Sequence, residues 1–236
     1  MNQKKDTFVI AVDGPSGSGK SSLCRETARR LGMTHINTGS YYRVIAWQIS
    51  LRPGFSWTQE EVQSVCHEIE EKFHWDSTTG NPLWEGQICL KQLNSERMGK
   101  LASQAAQNTH VRQALKEVFR RHGCMDPHGT IMEGRDIGTE IFPGAALKIY
   151  VDLSAKVRAE RRFRDEYPHL EGNPDNYPLE LESLLTKIEQ RDMRDSERDV
   201  APLIKAEDAL LFQNDKPFRE SAANLVEIIK SSLSKK

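Results

Sequence analysis

Short apolar runs alternate with amphipathic stretches along most of the chain, the pattern of a parallel sheet covered by helices. Thr7–Val12 is apolar without alternation, as expected of a strand buried on both faces. Leu23, Cys24, Thr27, Ala28 and Leu31 then fall on one helical stripe, and Gly32 stands where a left-handed C-terminal cap belongs. Further strands are predicted at Thr34–Ile36, Thr130–Met132, Leu147–Leu153 and Ala209–Phe212, five in all. One helix is predicted over about 97–122. A last one runs from Phe218 to about Leu233, with Ala222, Leu225, Val226 and Ile229 on its apolar face.

The rhythm breaks between about Pro53 and Ser95. A helical stretch leads into Lys72–Trp75, a turn-rich Asp76–Pro82, and the short extended pieces Leu83–Trp84 and Gln87–Leu90. Thr79-Gly-Asn-Pro82 and Glu85-Gly86 are turn signals between them. The expected fold is therefore α/β, a five-stranded parallel sheet flanked by helices with a small antiparallel patch inserted at 53–95. Residues 1–236 are read as one domain.

Composition narrows the function classes. With 33 basic and 34 acidic side chains the net charge is −1, which supplies no bulk field for nucleic acid or anionic lipid. The longest predominantly apolar stretches, such as Phe8–Val12 and Ala145–Val151 (the latter interrupted by Lys148), fall far short of the ~18 residues of a membrane span. Two lysines precede an apolar stretch near Met1, but Asp13 cuts it short, unlike a signal peptide. Cys24, Cys66, Cys89 and Cys124 form no C-x-x-C pair. The expectation is a reduced, cytoplasmic, monomeric protein whose partners are small molecules.

One motif carries chemistry by itself. Gly14-Pro15-Ser16-Gly17-Ser18-Gly19-Lys20-Ser21 fits G-x-x-x-x-G-K-[ST], follows a buried strand and opens a helix, the setting of a P-loop. Glycines are needed because backbone amides must close around phosphates where a Cβ would obstruct them. The helix N-terminus adds partial positive charge. Lys20 is placed to reach the β- and γ-phosphates of a nucleotide, the Ser21 hydroxyl to ligate Mg²⁺, and Ser22 completes the cradle. A P-loop does not say whether the γ-phosphate goes to water or to a substrate.

Arginines bear on that question, because transfer to another phosphate requires positive charge over both anions. Arg43 follows the second strand in Thr38-Gly-Ser-Tyr-Tyr-Arg43, and Arg135 follows the third in Glu133-Gly-Arg-Asp136. Arg161 and Arg162 follow the fourth. Arg191, Arg194 and Arg198 recur at spacings of three and four, along one helix face, although the interleaved acids also fit ordinary i,i+4 surface pairs. His122-x-Cys124-x-x-x-His128 lacks a fourth zinc ligand, and the remaining histidines are scattered. Trp47, Trp57, Trp75 and Trp84 fit packing of the inserted region better than base stacking.

Several strings together resemble the bacterial cytidylate kinases, in order from about Phe8 to Phe212. They are Asp13 through Ser21, Thr38 through Arg43, Ser103-Gln104, Val111-Arg112, Glu133 through Thr139, and Arg191 through Arg198 with Ala201-Pro-Leu203. The resemblance implies a P-loop nucleoside monophosphate kinase that uses ATP and Mg²⁺ to phosphorylate CMP and dCMP. It implies that Ser103, Arg112 and Asp136 meet the cytosine, and that Thr38 lies in the acceptor site. Arg43, Arg135 and Arg198 would hold the acceptor phosphate, with Arg191 and Asp195 near the sugar. It also implies a monophosphate-binding region over about 38–112 and a helical lid over about 156–170 carrying Arg161 and Arg162. Glu133 stands where the family usually has Asp, and Thr38 where it usually has Ser. The residues alone leave open another small acceptor such as UMP, or a nucleotide-dependent switch ATPase.

Overall fold

The computed structural model describes residues 8–75, 82–167 and 177–234. The sheet contains β1 (Val9–Asp13), β2 (Thr34–Asn37), β6 (Thr130–Gly134), β7 (Leu147–Asp152) and β8 (Leu210–Gln213). Their order is β2-β6-β1-β7-β8 and every pairing is parallel, so all five strands end at one edge. Successive side chains of a strand point to opposite faces. Val9 and Ala11 accordingly join one core cluster and Ile10 and Val12 another, which explains why β1 is apolar without alternation.

On the Ile10 face lie α1 (Lys20–Leu31) and α9 (Phe218–Leu233), contributing Leu23, Cys24, Ala28, Ala222, Leu225 and Ile229. Gly32 ends α1 in the left-handed conformation, with its N–H bonded to the Ala28 carbonyl. The opposite face is covered by α2 (Thr38–Ser50), α3 (Gln59–Lys72), α5 (Glu96–Ala105) and α6 (Thr109–Gly123).

The helix expected over 97–122 is two helices, α5 and α6. Asn108 interrupts it, because its side chain accepts the Val111 N–H (3.1 Å) and caps a new start. The inserted patch is antiparallel as expected: β3 (Phe73–Trp75), β4 (Pro82–Trp84) and β5 (Gln87–Ile88), followed by the one-turn α4 (Leu90–Leu93). Its aromatic rings pack edge to face, Trp47 on Trp84 at 5.7 Å and Phe73 on Trp75 at 5.3 Å. The turn expected at 79–81 lies outside the described residues.

Beyond β7, α7 (Ala155–Glu166) and α8 (Tyr177–Glu197) pack on each other around a separate cluster of Ala159, Phe163, Leu184 and Ile188. Residues 168–170 of the expected lid lie outside the described residues. None of the described helices is long and apolar enough to cross a membrane.

Candidate active site

The C-terminal ends of the strands open into a cavity of about 500 Å³. In open α/β sheets ligands bind at this edge. Its walls come from the loop after β1, the start of α2, α5, the Arg112 turn of α6, the loop after β6 and the end of α8.

The loop between β1 and α1 is shaped by its glycines. Gly14 has φ 146°, and a Cβ there would stand 2.1 Å from the Val151 carbonyl oxygen. Gly19 has φ 81°, and a Cβ would meet Asn214 Nδ2 at 2.5 Å. Asn214, just past β8, donates that amide to the Ser18 carbonyl (2.7 Å) and so fastens the loop from below. Ser16, Gly17, Gly19, Lys20, Ser21 and Ser22 line the cavity. Pro15 and Ser18 act from beneath, the Pro15 carbonyl (2.7 Å) and Ser18 hydroxyl (3.3 Å) accepting from Lys20 Nζ. Burial, then the neighbouring Arg135, pushes Lys20 down from 10.5 to about 7.

At the mouth of the loop, Ser21 Oγ donates to Glu133 Oε2 (2.9 Å) and accepts from Asn37 Nδ2 (3.2 Å). Glu133 Oε1 accepts from His35 Nε2 (3.0 Å). Burial works to raise the Glu133 carboxyl, but the His35 hydrogen bond, the charges of His35 and Lys20 and the Ser21 bond outweigh it and hold it below its ordinary range. Asp13, at the end of β1, accepts the N–H groups of Ile137 (2.8 Å) and Gly138 (2.7 Å) at the start of a short π-helical turn, Ile137–Ile141. Its burial raises its pKa to about 6. Those bonds tie the first strand to the segment that carries Arg135 and Asp136.

The far half of the cavity is lined by Thr38, Arg43, Ser103, Arg112, Arg135, Asp136, Arg191, Asp195 and Arg198, every residue the resemblance assigns to the acceptor. Asp136 is bonded to Arg112 Nη2, and Arg112 Nη1 donates to the Tyr42 hydroxyl (3.4 Å) and the Ala106 carbonyl (3.2 Å). Arg135 Nε donates to Asp195 Oδ2 (3.0 Å) and Thr38 Oγ1 to the Glu133 carbonyl (2.8 Å). Arg43 Nη1 donates to the Leu93 carbonyl.

The guanidinium groups exceed their local counter-charge. Arg191 is lowered to about 10 by burial and then by Arg135, Arg43 is lowered for the same two reasons, and Arg198 Nη2 is buried without a hydrogen-bond partner. Arg198 Nη2 has Asp136 Oδ1 no nearer than 3.9 Å, and buried guanidinium groups in excess of the carboxylates beside them suit an anionic ligand. Replacing Arg191 with Met should therefore raise the unfolding midpoint of the ligand-free protein by a few degrees while weakening binding of a phosphate-bearing acceptor about tenfold. Calorimetric unfolding and titration of the two proteins check this.

Two expected arginines lie elsewhere. Arg162 pairs with Glu166 (2.6 Å) on the exposed side of α7, and Arg161 donates to the Asn214 carbonyl (3.0 Å) beside the phosphate loop. Arg194 turns outward, its Nε on the Gln190 carbonyl, so among the described residues of α8 it is Arg191 and Asp195 that line the cavity. Sequence reasoning missed Arg158, which is buried on α7. It donates to Ser16 O (2.9 Å) and Leu153 O (2.8 Å) and binds both oxygens of Asp192. An arginine inside an otherwise apolar helical stripe was its only local signal. Asn214, Asn37 and His35 gave none.

This geometry has relatives. The chain matches the cytidylate kinase family over residues 10–233. The chain belongs to the cytidylate kinase family. It is 34% identical over 224 residues to a cytidylate kinase of Geobacter sp. (strain M21), covering 95% of this chain and 93% of that protein. It is 35% identical over 206 residues to a cytidylate kinase of Yersinia enterocolitica, covering 87% and 86%. Membership agrees with a cavity that has an amide-lined loop at one end and a carboxylate–guanidinium pair at the other.

Proposed function

We propose that the protein transfers the γ-phosphoryl group of ATP to CMP and dCMP, directly and in line, giving CDP and dCDP. The observation that carries this reading is the cavity itself, in which the phosphate loop faces a cluster of buried guanidinium groups. Family membership gives no support to the UMP-kinase and switch-ATPase alternatives.

The 14–22 loop receives the ATP phosphates, with Lys20 on the β- and γ-groups. Arg43, Arg135 and Arg198 take the acceptor phosphate, Arg191 and Asp195 the sugar side, and Ser103, Arg112 and Asp136 the cytosine. An acceptor monophosphate has a second pKa near 6, so it is largely dianionic at pH 7 and needs no strong general base. Catalysis then consists of holding two anions in line while Lys20 and the arginines absorb charge.

The donor set suits a hard divalent cation: the Ser21 hydroxyl and the Glu133 carboxylate are oxygens at the mouth of the loop. Mg²⁺ characteristically takes one or two such ligands and completes its shell with phosphates and water. When bound, it would neutralise charge on the β- and γ-phosphates. Residues of about 38–112 form the acceptor-binding region in this reading. The lid in this reading is the segment of about 156–170, whose helix α7 packs on α8 through a small apolar cluster of its own; its closure would bring Arg161 and Arg162 inward and exclude water.

A test is ADP release with CMP, dCMP, UMP, AMP and GMP as acceptors. CMP and dCMP should be used far faster than the rest, and hydrolysis without acceptor should be slow. Equal rates for all acceptors, or unchanged ADP release without one, would refute it.

The depressed Lys20 gives a pH prediction. In the empty protein its pKa is about 7, and polyphosphate favours the ammonium form, raising that value. ATP binding should therefore take up protons above pH 7, and affinity should weaken as pH rises from there. Calorimetry at pH 8 in buffers of different ionisation heat measures the uptake, which Lys20→Met should abolish.

A further inference from the structure

His35 has no part in the mechanism above, yet it touches the carboxylate beside the phosphate loop. We propose that His35 is a positioning residue: its Nε2–H fixes the Glu133 carboxylate that holds the Ser21 hydroxyl, and so governs how the donor nucleotide's divalent cation is received. This rests on the kinase reading.

The four residues form one connected network. His35 and Asn37 are two apart on β2, hence on one face of it, and Asn37 is the register partner of Glu133 on β6. Glu133 Oε1 meets His35 Nε2 at 3.0 Å while Oε2 accepts from Ser21 Oγ at 2.9 Å. A carboxylate only accepts, so Nε2 carries the hydrogen. The side chains are 12% and 4% exposed, dry enough for this geometry to be held rather than exchanged with water.

The consequence falls on Ser21. A hydroxyl has one donor and two acceptor lone pairs. Here the proton goes to Glu133 and one lone pair to Asn37 Nδ2 (3.2 Å), leaving one lone pair for a cation. That allocation holds only while Oε2 stays aimed at Ser21. A glutamate side chain turns about three bonds before its carboxylate, so a contact through Oε2 alone would let it swing away, and a second anchor on Oε1 holds it. His35 is that anchor. Partners of this kind, one step removed from a metal, typically change metal affinity 10- to 100-fold when lost.

The experiment compares wild type with His35→Leu, His35→Asn, which is too short to keep the contact, and His35→Gln, whose amide keeps a donor near the Nε2 position. Two quantities are read: the free Mg²⁺ giving half-maximal CMP phosphorylation, and the Kd of a fluorescent ATP analogue with Mg²⁺ and with EDTA. Leu and Asn should each raise the Mg²⁺ requirement about tenfold and shrink the EDTA-to-Mg²⁺ Kd ratio by a similar factor. The Kd in EDTA and the KM for CMP should stay within about twofold, and Gln should recover most of the loss. Either of these two variants, neither of which keeps the contact, suffices if the other fails to fold. An unchanged ratio, an equal loss in EDTA, or Gln no better than Leu would each overturn the proposal. Should wild type bind ATP with a Mg²⁺ dependence yet fail to phosphorylate CMP, the kinase reading falls, and the Kd ratio still judges His35.

Discussion

Replacing Lys20 with methionine is expected to lower kcat by about 10²- to 10³-fold or more while CMP affinity changes by less than about threefold. In the ligand-free fold Lys20 Nζ is spent on the loop's own Pro15 carbonyl and Ser18 hydroxyl, and the side chain is 5% exposed. Phosphate oxygens entering the loop offer it a stronger partner, and the transferring group is where negative charge must be absorbed. Methionine keeps the length and loses the charge. The acceptor half of the cavity is built from other residues, so CMP binding should survive.

Stability separates this from a folding defect. A lysine whose folded pKa is about 7 against an ordinary 10.5 binds fewer protons folded than unfolded. Wild type should therefore gain stability relative to Lys20→Met as pH rises from about 7 toward 10.5. Single-turnover rates, CMP calorimetry and unfolding against pH give the three numbers, and equal losses in kcat and CMP affinity would contradict the role.

Substituting Asp136 should erase base selection rather than turnover alone. Cytosine presents an amino donor at N4 with acceptors at N3 and O2, whereas uracil presents O4 and an N3–H. A carboxylate accepts from the first and repels O4 of the second, while Arg112 complements N3 and O2. Asp136 is 5% exposed and bonded to Arg112, which Tyr42 and Ala106 hold in turn. A mismatch there leaves buried polar groups unpaired, which in comparable sites costs 10³- to 10⁵-fold in discrimination. Asp136→Asn offers uracil O4 a donor and should lower the CMP-to-UMP ratio of kcat/KM by about 10²- to 10³-fold. Asp136→Ala should also lose most of the preference. An alanine variant that still strongly preferred CMP would move base recognition elsewhere.

The sheet was legible because its information is local. Uninterrupted apolar runs, the Gly32 cap and the glycine-rich loop each declare themselves within a dozen residues. The residues proposed to hold the acceptor came from spaced strings that resemble a family, and the structure brings all of them to the lining of one cavity. What escaped was local competition or long-range approach. The break at Asn108 is a side chain outcompeting helix continuation, a signal present in the sequence but weaker than the surrounding periodicity. Arg194 faces outward because α8 turns its 191–195 face to the cavity and ends at Glu197, so spacing alone overstated the alignment. Arg158 reaches Ser16 and Asp192 across 142 and 34 residues, and His35 reaches Glu133 across 98. No pattern read along the chain encodes such meetings.

In the proposed reaction two polyanions meet end to end between the 14–22 loop and the guanidinium cluster. Adenosine and cytidine joined through five phosphates would occupy both halves at once. Linking two sites that geometry allows to be filled together typically gains 10²- to 10⁴-fold. Its dissociation constant should be at least about 100-fold below that of ATP or CMP alone, with Arg135→Ala and Lys20→Met each removing most of the gain. Binding no tighter than ATP, unaffected by the loss of Arg135, would mean that the arginines do not face the phosphate loop across a shared substrate.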